Sequence, residues 1–472
     1  MARLAPSRSP PFRLGGCLHH HPVTCSAGQR LRQPPSRSRS AWAGAVLAAA
    51  AALYVWFVHR YGVSVPFEDE WHMVPLLLAI HQGQLSPAML WVQHNENRML
   101  FAYIALLALE LASHFNTTVE MYASAGLLLG ALALLLRLHQ RNTAGHLLGF
   151  VPAALMILSL AQDAVALQGF AVAIYLTLAC LVLTVWLLEG SGRRSWVLAM
   201  AVVIAVIASY SSIQGLAVWP AGLAYMAARG HSPRRVLIWV GGGLLTAAVY
   251  LAGFNWTLAD GGGIISVVTH PARTLHYIAL LAGSAIPGSA VLHIGLAELS
   301  IVGALVLVGS GAVYGYWLVH RPAPDLALAL AVIGFASVVD ILNTVGRSHF
   351  GVSYAASPRY VIYNVWLLAG LWLGLAQIWR RQRSGNRPWP TLALGAVGLV
   401  AAMQVGLSLH SGVVAGSVLQ QQRERAVSLV LDYRQAAPAA VHLYLYPSYS
   451  TFEQRAKVLH QLRLNVFASG GR

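Results

Sequence analysis

A bundle of about eleven membrane-spanning α-helices is the fold class that this chain predicts. Three observations carry that expectation. Hydrophobic residues make up 57% of the 472 residues and charged residues only 10%, against about 25% charged in an average soluble domain. Apolar runs of roughly twenty residues recur along the chain, each long enough to cross a bilayer as a helix. Basic residues gather in short turns between those runs, the pattern of cytoplasmic turns. The net charge of +16 is thus topological, and nucleic acid is not an expected partner.

The elements follow in order. Residues 1–40 are rich in Arg, Ser and Pro and contain no acid. They are expected to be a cytoplasmic tail, or an over-extended start, and not a cleavable signal. Within them Cys17 and Cys25 flank His19, His20 and His21, a pattern that fits either a metal cluster or a disordered leader. With Cys180 the chain has three cysteines, which give no disulfide framework.

Arg30, Arg32, Arg37 and Arg39 precede the apolar run 41–59, so the N-terminus is expected inside and residue 60 outside. Further spans are expected near 120–137, 145–161, 169–188, 196–210, 214–228, 236–254, 296–319, 326–344, 359–379 and 390–409. Basic turns at Arg137 with Arg141, Arg193 with Arg194, Arg229 with Arg234 and Arg235, and Arg380 to Arg387 mark the inner side. Two more apolar stretches break the alternation if they cross. The stretch 99–115 carries Glu110 and His114, and 276–292 is interrupted by Gly283, Pro287 and Gly288. Both are therefore expected to lie on the outer face as interfacial or re-entrant helices. The transmembrane domain then covers 41–409. Residues 410–472 form a small extracytoplasmic tail, with a helical pattern around 418–435 and an apolar-aromatic run, Val441–Tyr446, suited to a cap.

That alternation puts the costly polar residues on one side. Only 15 residues are acidic, and none precedes Glu68. Glu68, Asp69 and Glu70 then come consecutively, just beyond the first span. Adjacent anions near a bilayer repel and lose hydration, so something must offset them. The helix start that follows offsets part of the cost. A carboxylate there suits general-base work toward a hydroxyl or amine, and the triplet also fits a solvated helix cap. A second cluster, His94-Asn95-Glu96-Asn97-Arg98, precedes the stretch 99–115. Arg98 suits a phosphate or carboxylate, or a lipid headgroup. His94 and Glu96 are metal-ligand types, but a pair does not complete a site. A third cluster runs from Arg347 to Tyr360 and holds His349, Tyr354 and Arg359. Its two arginines sit outside, against the positive-inside bias, and need an anion. A phosphate fits, as does an ion pair with Asp340 or an anionic lipid.

These residues resemble the GT-C superfamily of membrane glycosyltransferases, which use polyprenyl-phosphate sugars. In that family an acidic pair follows the first span, and Asp69-Glu70 is similar to it, with Glu68 added. The order of elements resembles that of lipid A aminoarabinose transferases and protein mannosyltransferases through about residue 290. A closer resemblance is to bacterial membrane proteins with a Trp-Asp-Glu-Trp-like element, a His-Asn-Glu-His-Arg element and a late Ser-Arg-Tyr. This chain departs at Glu68-Asp69-Glu70-Trp71, at Asn97, and at Ser357-Pro358-Arg359-Tyr360.

The resemblance implies an inverting glycosyltransferase that moves a sugar from a polyprenyl phosphate to an extracytoplasmic acceptor. Asp69 would be the base, with Glu70 and Glu68 tuning it. Arg359 and Arg347 would neutralise the leaving phosphate, with His349 and Tyr360 in the same segment. His94, Glu96 and Arg98 would complete the acceptor side. No cofactor is required by these roles, and a divalent metal is a secondary option. The arginine-rich, lysine-poor composition suits a bacterial inner membrane. A transporter or flippase for a lipid-linked or anionic glycan would use the same arginines, with the acids coupling protons. A pump needs ionisable groups along the membrane interior, whereas these acids gather at one face. An inactive structural relative is the third option.

Overall fold

The computed structural model describes residues 37–143, 147–192, 194–256, 263–288, 294–382 and 388–468. Most of the expected cytoplasmic tail, including the Cys17–Cys25 cluster, lies outside the described residues, as do Arg193, Asp260, Arg383 and Arg387. Among the described residues the regular structure is helical apart from one hairpin of two two-residue strands.

The first helix, α1, covers Arg37–Tyr61. A loop with one turn of 3₁₀ helix, Glu68–His72, leads into α2 (Met73–His81) and α3 (Pro87–Trp91). The hairpin pairs Gln93–His94 (β1) with Asn97–Arg98 (β2). Asn95 makes its turn at φ +50°, a left-handed conformation that Asn tolerates. Next come α4 (Leu100–Ser113), α5 (Thr117–Thr143), α6 (Val151–Ile157), α7 (Asp163–Ala166) and α8 (Val172–Ser191). Then follow α9 (Ser195–Ser209), α10 (Val218–Arg229), α11 (Pro233–Leu251), α12 (Gly263–Thr269), α13 (Pro271–Gly283), α14 (Leu296–Val319), α15 (Ala327–Arg347) and α16 (Val361–Gln382). The chain ends with α17 (Trp389–Leu431), α18 (Pro438–Tyr444) and α19 (Tyr449–Leu462).

Among the described residues eight helices are long and apolar enough to cross a membrane. They coincide with eight of the expected spans. The expected spans at 145–161, 196–210 and 214–228 fold as shorter helices, α6 with α7, α9 and α10. The stretch 99–115 forms α4, too short to count among the eight. Left-handed His114 and Phe115 end it sharply. Asn116 Oδ1 then accepts the Thr118 N–H at 3.0 Å and restarts the chain as α5, as a capping Asn does. The stretch 276–292 holds the end of α13, which stops at Gly283. Gly283 and Gly303 bring α13 and α14 into backbone contact, because a Cβ on either would meet the other helix's backbone. Close approach through small residues is the usual way that helices pack in lipid.

The main core lies between α5, α6, α8, α10, α15 and α16, around Phe150, Tyr175, Phe335 and Trp366, all fully buried. Helix α16 is enclosed along nearly its whole length. A second core sits beyond the end of α1. It joins Trp71, Met73 and Leu77 of the first loop to Val441, Phe452 and Leu459 of the tail. The Trp71 and Phe452 rings meet edge-on at 5.3 Å. The tail is therefore a cap packed on the first loop. Helix α17 runs unbroken for 43 residues through position 410 and leads into the cap. At about 1.5 Å per residue this helix spans about 65 Å, roughly twice the hydrocarbon thickness.

Candidate functional site

The segment 68–72 is fixed from within and from the cap. Glu68 has φ +47°, a conformation costly for a residue with a Cβ. The Glu68 N–H donates to the Leu445 carbonyl of the cap at 3.0 Å. Glu70 Oε2 accepts the Phe67 N–H at 2.9 Å. Glu70 Oε1 accepts the Gly169 and Phe170 N–H groups at 2.6 and 3.2 Å. Glu70 is only 2% exposed. It thus clips the first loop to the loop before α8, and this turns Glu68 and Asp69 to the other side.

There they enter a cavity of about 540 Å³. The first loop contributes Glu68, Asp69 and His72, and the hairpin contributes His94 to Asn97. Gln168 and Phe170 precede α8, and Ser212 and Gln214 precede α10. The late segment contributes Asn343, Arg347, Arg359, Tyr360 and Tyr363. The cap closes one wall with Tyr446, Ser448 and Thr451.

Charges of both signs meet in this cavity. Asp69 Oδ1 lies 3.2 Å from His94 Nε2. Arg359 lies 3.8 Å from Glu68. Arg347 Nη2 donates to both Glu96 oxygens, at 2.5 and 2.7 Å. The late arginines therefore pair with first-loop acids and not with Asp340. Glu96 is committed to Arg347, so it does not complete a metal pair with His94.

The two cavity carboxylates are pushed apart in acidity. Burial raises Glu68, and Arg359 offsets only part of that. Burial also raises Asp69, but His94, His72 and Arg359 outweigh it and hold Asp69 below its ordinary value. Glu70 is raised to about 7 by burial, against the pull of Arg423 and its backbone donors. His72 is lowered to about 4, chiefly by burial and then by His94 and Arg455. Asp69 is thus an ionised carboxylate and His72 a neutral imidazole at neutral pH.

Seven of the ten residues singled out from sequence line this cavity: Glu68, Asp69, His94, Glu96, Arg347, Arg359 and Tyr360. Three do not. Glu70 is spent on backbone donors. Arg98 is 4% exposed and donates to the carbonyls of Tyr250 at 2.7 Å and Ala252 at 2.6 Å, so it ties the hairpin to the end of α11. The His349 ring lies tilted against Phe350 with ring centroids 4.0 Å apart, and it is not part of the cavity lining. Their charge made them conspicuous, but side-chain direction is invisible in spacing. The converse omissions are His72 and the cap residues Tyr446, Ser448 and Thr451. His72 sits four residues beyond the first acid, on the same short helix, and that spacing was its available signal. The cap residues carry no such signal.

No protein-family model, no curated protein and no solved structure matches this chain.

Proposed function

We propose that the protein is an integral membrane glycosyltransferase of inverting GT-C type, moving a sugar from a polyprenyl-phosphate donor to an acceptor at the extracytoplasmic face. One observation carries the reading. Two first-loop carboxylates and two late arginines line a single cavity: Glu68, Asp69, Arg347 and Arg359. Inverting transfer needs that opposition. One side must take a proton from the acceptor, and the other must steady the charge that grows on the departing phosphate.

Asp69 is ionised and open to the cavity, and it takes the acceptor's proton as the acceptor oxygen or nitrogen attacks the sugar. The bond from sugar to lipid phosphate breaks in the same displacement. Arg359 is the arginine with spare donors, because its contact to Glu68 is long. It meets the phosphate, and Arg347 supports it from its pair with Glu96. Tyr360 and Tyr363 offer flat surfaces for the sugar. The N-terminus lies in the cytoplasm, and a bacterial inner membrane suits the arginine-rich turns.

The test is a comparison of glycolipids and glycans between a deletion strain and its parent. The parent is expected to carry a sugar that the deletion lacks and that the intact gene restores. The Asp69→Asn gene should fail to restore it. Accumulation of an intact lipid-linked glycan on the inner leaflet would instead indicate a flippase.

A further inference from the structure

We propose that Asp69, His72 and His94 form a binding site for a divalent transition-metal ion of the zinc class in the wall of the outer cavity. This goes beyond the glycosyl-transfer reading and does not rest on it. The three residues come from two separated elements, the 3₁₀ turn after α1 and the hairpin. Their candidate ligand atoms all lie within 4.8 Å of one another. Among the described residues this is the one such group of three.

The donor set is specific. Two imidazoles and one carboxylate suit zinc and its neighbours, whereas magnesium and calcium take oxygen ligands. Zinc bonds of about 2.0–2.2 Å in a tetrahedron put ligand atoms roughly 3.4 Å apart. His94 Nε2 and Asp69 Oδ1 already stand at 3.2 Å. Nε2 is buried and has no other hydrogen-bond partner.

His72 is oriented for the same task. Its Nδ1 donates to the Asp69 carbonyl oxygen at 3.2 Å. That bond leaves the lone pair on Nε2, in the way that backbone carbonyls set the tautomer of metal-binding histidines. The His72 and His94 rings stand edge to face, 4.5 Å between centroids. The Tyr446 hydroxyl lies 3.5 Å from His72 Nε2 and adds an oxygen beside the cluster. Only one Asp69 oxygen faces His94. The side chain stays 42% exposed, so the other oxygen is open to the cavity. All three ligands line that cavity, and an ion held by three protein groups keeps a position for an oxygen from within it.

The test uses the full-length protein in detergent, stripped of metal and titrated with Co²⁺ alone. One equivalent of Co²⁺ is expected to give the visible absorption of a four- or five-coordinate ion, and Zn²⁺ should bleach it. Loss of an outer partner already costs about 10–100-fold in metal affinity. His72→Ala, His94→Ala and Asp69→Asn should each weaken binding at least that much, with thermal melting of the metal-free protein unchanged for Asp69→Asn. The triple change His19→Ala, His20→Ala and His21→Ala should leave the band intact. Absence of the band in the parent protein would overturn the proposal. So would a band that persists at equal affinity in all three ligand variants, or one lost in the triple variant.

Discussion

The Arg359 guanidinium lies 3.8 Å from the Glu68 carboxylate, which brings the segment before α16 against the one after α1. Both side chains are about half exposed, Arg359 at 48% and Glu68 at 43%. An ion pair this open contributes about 0–1 kcal/mol. It is poor at holding the fold together and well suited to exchanging one anion for another.

Arg359→Lys tests that role. Lysine keeps the charge but loses the planar fork that grips a phosphate through two bonds. Thermal stability should be unchanged within about 1 kcal/mol. The apparent affinity for the lipid-phosphate donor should fall by roughly tenfold, with a smaller effect on the acceptor. Equal losses for donor and acceptor would move Arg359 off the phosphate.

Asp69→Asn removes one charge with little change in shape. Loss of a general base costs about 10²–10⁴-fold in rate. Transfer should drop by that factor while the protein still reaches the membrane and melts as the parent does. Near-parental transfer in Asp69→Asn together with a loss in Glu68→Gln would hand the base role to Glu68, whose acidity burial weakens.

Glu70→Ala should act on stability. It strands the N–H groups of Phe67, Gly169 and Phe170, and a stranded buried donor costs about 1–3 kcal/mol. The cost should depend on pH. Glu70 rises from 4.5 in the unfolded chain to about 7 in the fold, so the folded state binds the extra proton between those values. Its contribution is greatest below about pH 4.5 and declines as pH rises to about 7. Melting of parent and variant across that window measures the difference, which should narrow with rising pH. A difference that widens would mean that Glu70 is ionised in the fold.

Much of this was legible in the sequence, for reasons particular residues make plain. Apolar run length marks spans because a bilayer demands it, and the eight longest runs became the eight longest apolar helices. Glu68-Asp69-Glu70 stood out because so few acids occur, and Arg347 with Arg359 because the expected alternation of spans sets them against the charge bias. Roles within each cluster were not legible. Glu70 and Asp69 are neighbours in sequence, yet the 3₁₀ turn sends one to backbone N–H groups and the other to the cavity. Arg98 and Arg347 look alike in composition, but one caps carbonyls and the other pairs with Glu96. The cap was visible as a tail, while its delivery of Tyr446 to the cavity depends on α17 running unbroken for 43 residues.

The orientation of the whole site is the last prediction. Ser353 lies in the segment between α15 and α16, and Ser232 lies in the basic turn between α10 and α11. Both are exposed, so each is read as a single new cysteine in a background with Cys17, Cys25 and Cys180 changed to Ser. With Arg229, Arg234 and Arg235, the positive-inside rule predicts that the second turn is cytoplasmic. Ser353→Cys should react with a membrane-impermeant maleimide in intact cells. Ser232→Cys should react only after the membrane is opened. The reverse pattern would put the cavity, with Asp69 and Arg359, on the cytoplasmic side, where soluble nucleotide sugars are available and a lipid-linked donor is not needed.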